Sequence, residues 1–197
     1  MTEIFLIANT FIIIGTILYI LNIHKKSISL NLSSRTIRIF LELIDAVSYI
    51  KIVTENIKGL MAVISMVGMS IIALLAIKKG RFKKLSKFDI LLLMIGILTI
   101  IAGIISKSYI VTNVSLQIAF LMAYIPTIKG IYKKEIQEKT FPWIITSIGI
   151  ITSIIGLILY YEGRFTLIYP SARLFGNAAL ILSTIIVKNK GKKIGQQ

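Results

Sequence analysis

Seven apolar stretches, each close to the length that crosses a bilayer, divide this 197-residue chain. They run from 4 to 23, 35 to 53, 60 to 77, 90 to 105, 109 to 131, 142 to 160 and 166 to 187. A helix rises ~1.5 Å per residue, so ~20 apolar residues reach across the hydrocarbon core. The second stretch is the least apolar and the fourth is short. Hydrophobic residues make up 56% of the chain and charged ones 16%, and mean hydropathy is +0.87. A soluble domain carries roughly a quarter charged residues. The pattern excludes disorder, argues against a water-soluble enzyme and predicts an all-α membrane protein of seven transmembrane helices.

The net charge of +15 is a matter of placement. Lys25, Lys26 and Arg35 follow the first stretch, whereas Glu55 and Lys58 nearly cancel in the next link. The third link holds six basic residues between Lys78 and Lys87, the fourth only Lys107. Lys133, Lys134 and Lys139 share the fifth link with Glu135 and Glu138, Glu162 and Arg164 share the sixth, and four lysines occupy the tail. Basic and nearly neutral links alternate. The positive-inside rule then predicts an outside N-terminus and a cytoplasmic C-terminus. Six spans with one peripheral segment is the alternative. The first stretch lacks the basic leader and small-residue cleavage site of a signal peptide, so it reads as a retained helix. Basic residues dispersed over several loops do not suit nucleic acid; they suit anionic lipid. There is no cysteine and a single histidine, His24, so thiol chemistry, disulfides and a histidine-rich metal site are excluded; no cofactor motif is present. The abundance of isoleucine and lysine suits an AT-rich prokaryotic genome, and the expected location is then a prokaryotic plasma membrane.

A shift of 108 residues lays the first three stretches over the last three. Lys25-Lys26 then falls on Lys133-Lys134, Gly68 on Gly176 and Leu74 on Leu182. The reading is two triple-helix bundles, residues 1–80 and 109–188, joined by a basic loop and linker helix over 81–108 and ending in a basic tail over 189–197. One extra span between two triples gives them the same orientation, and such parallel repeats place a solute site between the halves.

This 3+1+3 plan resembles the SWEET, SemiSWEET and PQ-loop transporter superfamily. Ala123-Tyr124-Ile125-Pro126-Thr127-Ile128-Lys129 looks like its proline-glutamine motif, with Thr127 at the glutamine, and Tyr169-Pro170 followed by Asn177 looks like its third helix with a pocket asparagine. The first half carries Leu18-Tyr19 at the proline motif and Met69 opposite Asn177. Trp143, the only tryptophan, falls near the cytoplasmic start of the sixth segment, away from the midplane where a pocket tryptophan belongs. The resemblance implies an alternating-access pocket with Asn177, Tyr124 and Met69 among its residues and Pro126 as a hinge. A static kink is the plain reading of Pro126, and interhelical packing that of Asn177.

The second stretch adds what the family does not supply. Arg38, Glu42 and Asp45 are spaced four and three apart and share one helix face. Charges inside a span face a partner, the bundle interior or water. Counted inward from the same side, Asp45 and Arg173 lie at similar depth, roughly 10–12 Å, and Glu42 and Asn177 at roughly 16 Å. An Asp45–Arg173 pair across the two halves is expected, with Glu42 beside Asn177 binding an ammonium group or a coupling proton. A structural network, including Arg38–Glu42 within the helix, is the alternative. Tyr109, Tyr160, Tyr161 and Tyr169 are expected as interfacial anchors, and Ser147, Thr152 and Ser153 to bond back to their own helix.

These features point to a transporter for a small polar solute such as a sugar or amino acid-like metabolite, with proton coupling left open. A non-transporting receptor or accessory protein on the same fold is the alternative, and an enzyme is not expected. Its partners are the lipid bilayer and the solute, with a homo-oligomer left open.

Overall fold

The computed structural model describes residues 2–25, 32–79, 87–160 and 163–194; within these, side-chain surroundings are given for all but 32–38, 76, 77, 79, 89 and 190–194. The described residues form seven α-helices and no strand. They are α1 (Thr2–His24), α2 (Leu32–Ile52), α3 (Asn56–Lys79), α4 (Lys87–Ser106), α5 (Tyr109–Tyr132), α6 (Thr140–Leu159) and α7 (Ile168–Ile194), with a 3-10 turn, Arg164–Leu167, leading into α7. Helices are the form in which an apolar segment satisfies its own backbone without water. Each expected stretch lies on one of them. α7 runs on through Lys188 to Ile194, past the expected end at 187. Cations are favourable at a helix C-terminus, so the lysines do not stop it.

Five helical segments are long and apolar enough to cross a membrane: Thr2–His24, Asn56–Leu75, Tyr109–Tyr132, Thr140–Leu159 and Arg164–Asn189. The apolar part of α4, Ile90–Ser106, is shorter. α2 is not among the five, and it carries Glu42, Asp45 and Lys51. The burial pattern is inverted relative to a soluble protein. Ile104, Ile105 and Phe175 are exposed, whereas Glu42, Asp45, Asn113, Gln117, Arg173 and Asn177 are buried. This is the build of a multi-pass membrane protein, with lipid taking the place of water around it.

The helices pack in a closed cycle: α1 against α3, α3 against α2, α2 against α5, α5 against α7, α7 against α6, and α6 against α1. α4 lies outside it against α5 and α2. Close contacts give the directions. Gly15 of α1 abuts Pro142 and Thr146, while Gly149 abuts Ala8 and Ile12, so α1 and α6 are antiparallel. Asp45 reaches Asn113 and Gln117, and Leu41 clusters with Leu116 and Phe120, so α2 and α5 are antiparallel too. α1 and α3 run together: Asn9 bonds the Ile57 carbonyl and Thr16 meets Gly68.

Helix ends are made locally. The α4–α5 link has two residues, Lys107 and Ser108. Lys107 adopts φ 49°, and the amides of Lys107 and Ser108 donate back to the carbonyls of Ile104 and Gly103. Lys134, at φ 58°, ends α5 in the same way, with Glu135 bonding Gly130. Both are left-handed caps of the kind that satisfy the last carbonyls of a helix.

Contacts recur at the 108-residue spacing. A Cβ on Gly68 would meet the Thr16 side chain, and one on Gly176 would meet the Tyr124 ring; Thr16 and Tyr124 are themselves 108 apart. Ile23 packs with Ile72, and Ile131 with Leu180, at the same offset. Because the Tyr124 ring cannot fold away as Thr16 can, Gly176→Ala is expected to cost ~1–3 kcal/mol by overpacking. A lowered thermal midpoint in detergent, restored by adding Tyr124→Thr, checks this.

Candidate functional site

A cavity of about 80 Å³ sits at the centre of the helix cycle. All six helices of the cycle contribute to its wall, among them Tyr19 of α1, Glu42 of α2, Met69 of α3, Tyr124 of α5, Trp143 of α6 and Asn177 of α7. The structure therefore brings Asn177, Glu42, Tyr124 and Met69 onto one wall. Pro126 lies inside α5, which stays helical through it, and is not on that wall.

The charged cluster is built across α2, α5 and α7. Arg173 Nη2 stands 2.8 Å from Glu42 Oε2 and 2.9 Å from Asp45 Oδ2. Its guanidinium carbon lies 3.6 Å from the centre of the Phe120 ring and 4.9 Å from that of Tyr169. Stacking on aromatic faces and pairing with carboxylates suit the delocalised charge of arginine. Arg38 belongs to α2, but its side chain lies outside the described residues.

The two carboxylates differ in how fully they are used. Asp45 Oδ1 accepts from Asn113 Nδ2 and Gln117 Nε2, each at 2.7 Å, and Oδ2 accepts from Arg173. Asn113 Nδ2 also reaches Ser48 Oγ at 3.3 Å, and Ser48 donates to the Asp45 carbonyl. Asp45 is thus a clamp between α2, α5 and α7. Among the described residues Glu42 has the ion pair with Arg173, and neither of its oxygens has a hydrogen-bond partner, although it is 1% exposed.

Glu42 and Asn177 share the cavity wall without bonding each other. Asn177 Oδ1 accepts from the Tyr124 hydroxyl at 3.4 Å, and its Nδ2 donates to Ser147 Oγ at 3.4 Å. Ser147 therefore serves α7, whereas Thr152 bonds back to the Ile148 carbonyl.

Stacked rings lie beyond the clamp. Tyr49 and Tyr169 have centroids 4.4 Å apart, and the Tyr49 hydroxyl donates to the Thr166 carbonyl at 3.1 Å. Tyr169 is 1% exposed, which corrects its assignment as an interfacial anchor: it packs inward because Tyr49 and Arg173 hold it there. Tyr109 and Tyr160 are exposed, and Tyr161 lies outside the described residues.

Trp143 borders the opposite end, and here too the expectation changes. Although near the start of α6, Trp143 lines the cavity, with its ring edge-on to Tyr19 at 4.9 Å. Glu138, in the α5–α6 link, holds both rings. Its Oε1 accepts from the Tyr19 hydroxyl at 2.9 Å and its Oε2 from Trp143 Nε1 at 3.3 Å. Trp143 does stand near the start of α6, as expected, but the cavity extends from midway along α6 to that end and so includes it.

Asn113 and Gln117 were not singled out from the sequence. Their spacing of four on one face of α5 was the available signal. Compared with protein-family models, curated proteins and solved structures, the chain gives no match.

Proposed function

We propose that this protein is a carrier of the SWEET/PQ-loop kind, moving a small polar solute through the central cavity by alternating access. The observation that carries the reading is the cavity itself: a mostly apolar chamber at the centre of a membrane-type helix cycle, with the polar groups of Glu42, Asn177 and Tyr124 on its wall. Buried ionisable groups in a span are expensive, and a solute path is a common reason to keep them.

The packing order supports a 3+1+3 reading. α3 lies between α1 and α2, and α7 between α5 and α6, with α4 as the linker outside. The contacts between the halves, α1 with α6 and α2 with α5, are exchanged by the same offset that relates Gly68–Thr16 to Gly176–Tyr124. In this reading the N-terminus is outside, the basic loops face the cytoplasm and the membrane is a prokaryotic plasma membrane. Tyr49–Tyr169 and Tyr19–Trp143 are the closures at the two ends of the path, and Pro126 is where α5 bends as they exchange.

Counterflow in proteoliposomes tests this. Vesicles preloaded with an unlabelled sugar, amino acid or amine are expected to accumulate the same labelled compound for at least one member of the panel. Rates equal to those of protein-free vesicles for every member would remove the carrier reading.

A further inference from the structure

We infer that the solute is a small organic cation, whose ammonium head pairs with Glu42 among the rings of Tyr19, Tyr124 and Trp143. The inference rests on the reading of the central cavity as the solute site, and it narrows that reading to one chemical class.

Among the described residues, the cluster holds two carboxylates, Glu42 and Asp45, against one guanidinium, Arg173. With both carboxylates ionised, one positive charge is missing among these described residues. Asp45 is satisfied by three donors, so the deficit falls on Glu42. Glu42 is also the member of the pair on the cavity wall, and its Oε1 has no partner. A buried carboxylate oxygen without a donor is costly, and a cationic ligand with N–H or N–CH groups removes that cost.

The aromatic lining is an independent observation. Tyr19, Tyr124 and Trp143 all border the cavity. An ammonium group close to such ring faces is attracted by their quadrupoles, and more strongly where water is excluded. Glu138 fixes two of the three rings through the Tyr19 hydroxyl and the indole N–H, so this wall is pre-organised. Arg173 also borders the cavity; its Nη2 is already shared by two carboxylates, and its Nε, which has no acceptor among the described residues, can donate to a hydroxyl oxygen of the same cation.

Size sets the class further. A cavity of about 80 Å³ suits a small solute such as a short amine or amino alcohol. Asn177 and the Tyr124 hydroxyl are placed to meet a hydroxyl on such a ligand.

The test is calorimetric binding to the purified full-length protein, run beside counterflow on the same preparation. The probes are ethanolamine and choline, their neutral isosteres 1-propanol and 3,3-dimethylbutan-1-ol, and glucose. At least one cation is expected to bind ten-fold or more tightly than its neutral isostere. Glu42→Gln is expected to abolish that preference while leaving the isostere's affinity within two-fold. The wild-type comparison decides the matter even where the variant does not fold. Equal binding of cation and isostere, no binding of either cation, or a preference for glucose would each overturn the inference. Glucose counterflow without cation binding would keep the carrier and overturn the cation. Cation binding without counterflow of any member of the panel would keep the cation site and remove the carrier.

Discussion

Asp45→Ala is expected to lower the stability of the folded bundle by ~3–5 kcal/mol, the usual cost of removing one partner from a buried charge pair. The loss has three parts. Asn113 Nδ2 and Gln117 Nε2 lose an acceptor at 2.7 Å, and Arg173 loses one of its two carboxylates. Because Glu42 stays 2.8 Å from the guanidinium, Arg173 is not left unpaired, which places the result towards the lower end of the range. Asp45→Asn keeps the shape and one acceptor oxygen, and is expected to fall between alanine and wild type. Thermal and denaturant unfolding in detergent, followed by size-exclusion chromatography, reads both. A change below ~1 kcal/mol for the alanine variant would mean that the clamp does not hold α2, α5 and α7 together.

The second large effect is steric. Gly149→Val is expected to cost ~3 kcal/mol, at the upper end of overpacking penalties. A Cβ at Gly149 would lie 2.5 Å from the Ala8 carbonyl oxygen and 3.0 Å from the Ile12 amide nitrogen. These are backbone atoms of α1, so no rotamer change gives relief. The helices must separate, and the approach of α1 to α6 depends on small residues such as Gly149 and Gly15. Gly163 is the control: nothing lies within 4 Å of its Cβ position, so Gly163→Ala is expected to change stability by less than ~0.5 kcal/mol. Equal unfolding midpoints for the two variants would contradict the packing described for α1 and α6.

Much of this was legible in the sequence, for identifiable reasons. Span lengths follow from the thickness of hydrocarbon, so the seven stretches locate the seven helices. Glu42, Asp45 and Arg173 stand out because charge is rare in a span, and helical rise sets their relative depth. Asn113 and Gln117 did not stand out because a neutral amide in an apolar helix has many roles; only the Asp45 they face gives them this one. The order of packing was not legible either. An isoleucine-rich face does not say which neighbour it meets, and contacts such as Gly149–Ala8 and Gly176–Tyr124 are what separate the choices. Tyr169 was misjudged because position near a helix end was read as exposure, whereas Tyr49 draws it inward. Trp143 stands where the sequence put it, near the start of α6, but the reach of the cavity to that end was not legible.

The central claim is that one cavity is reached from either side of the membrane in turn. The chain has no cysteine, so a single one can be introduced and read without background. Asn177→Cys and Met69→Cys place a thiol on the cavity wall from α7 and α3. In oriented vesicles, a membrane-impermeant thiol reagent is predicted to modify each of them from the outer and from the inner face, in separate experiments. Modification from one face only, or from neither, would contradict alternating access through this cavity.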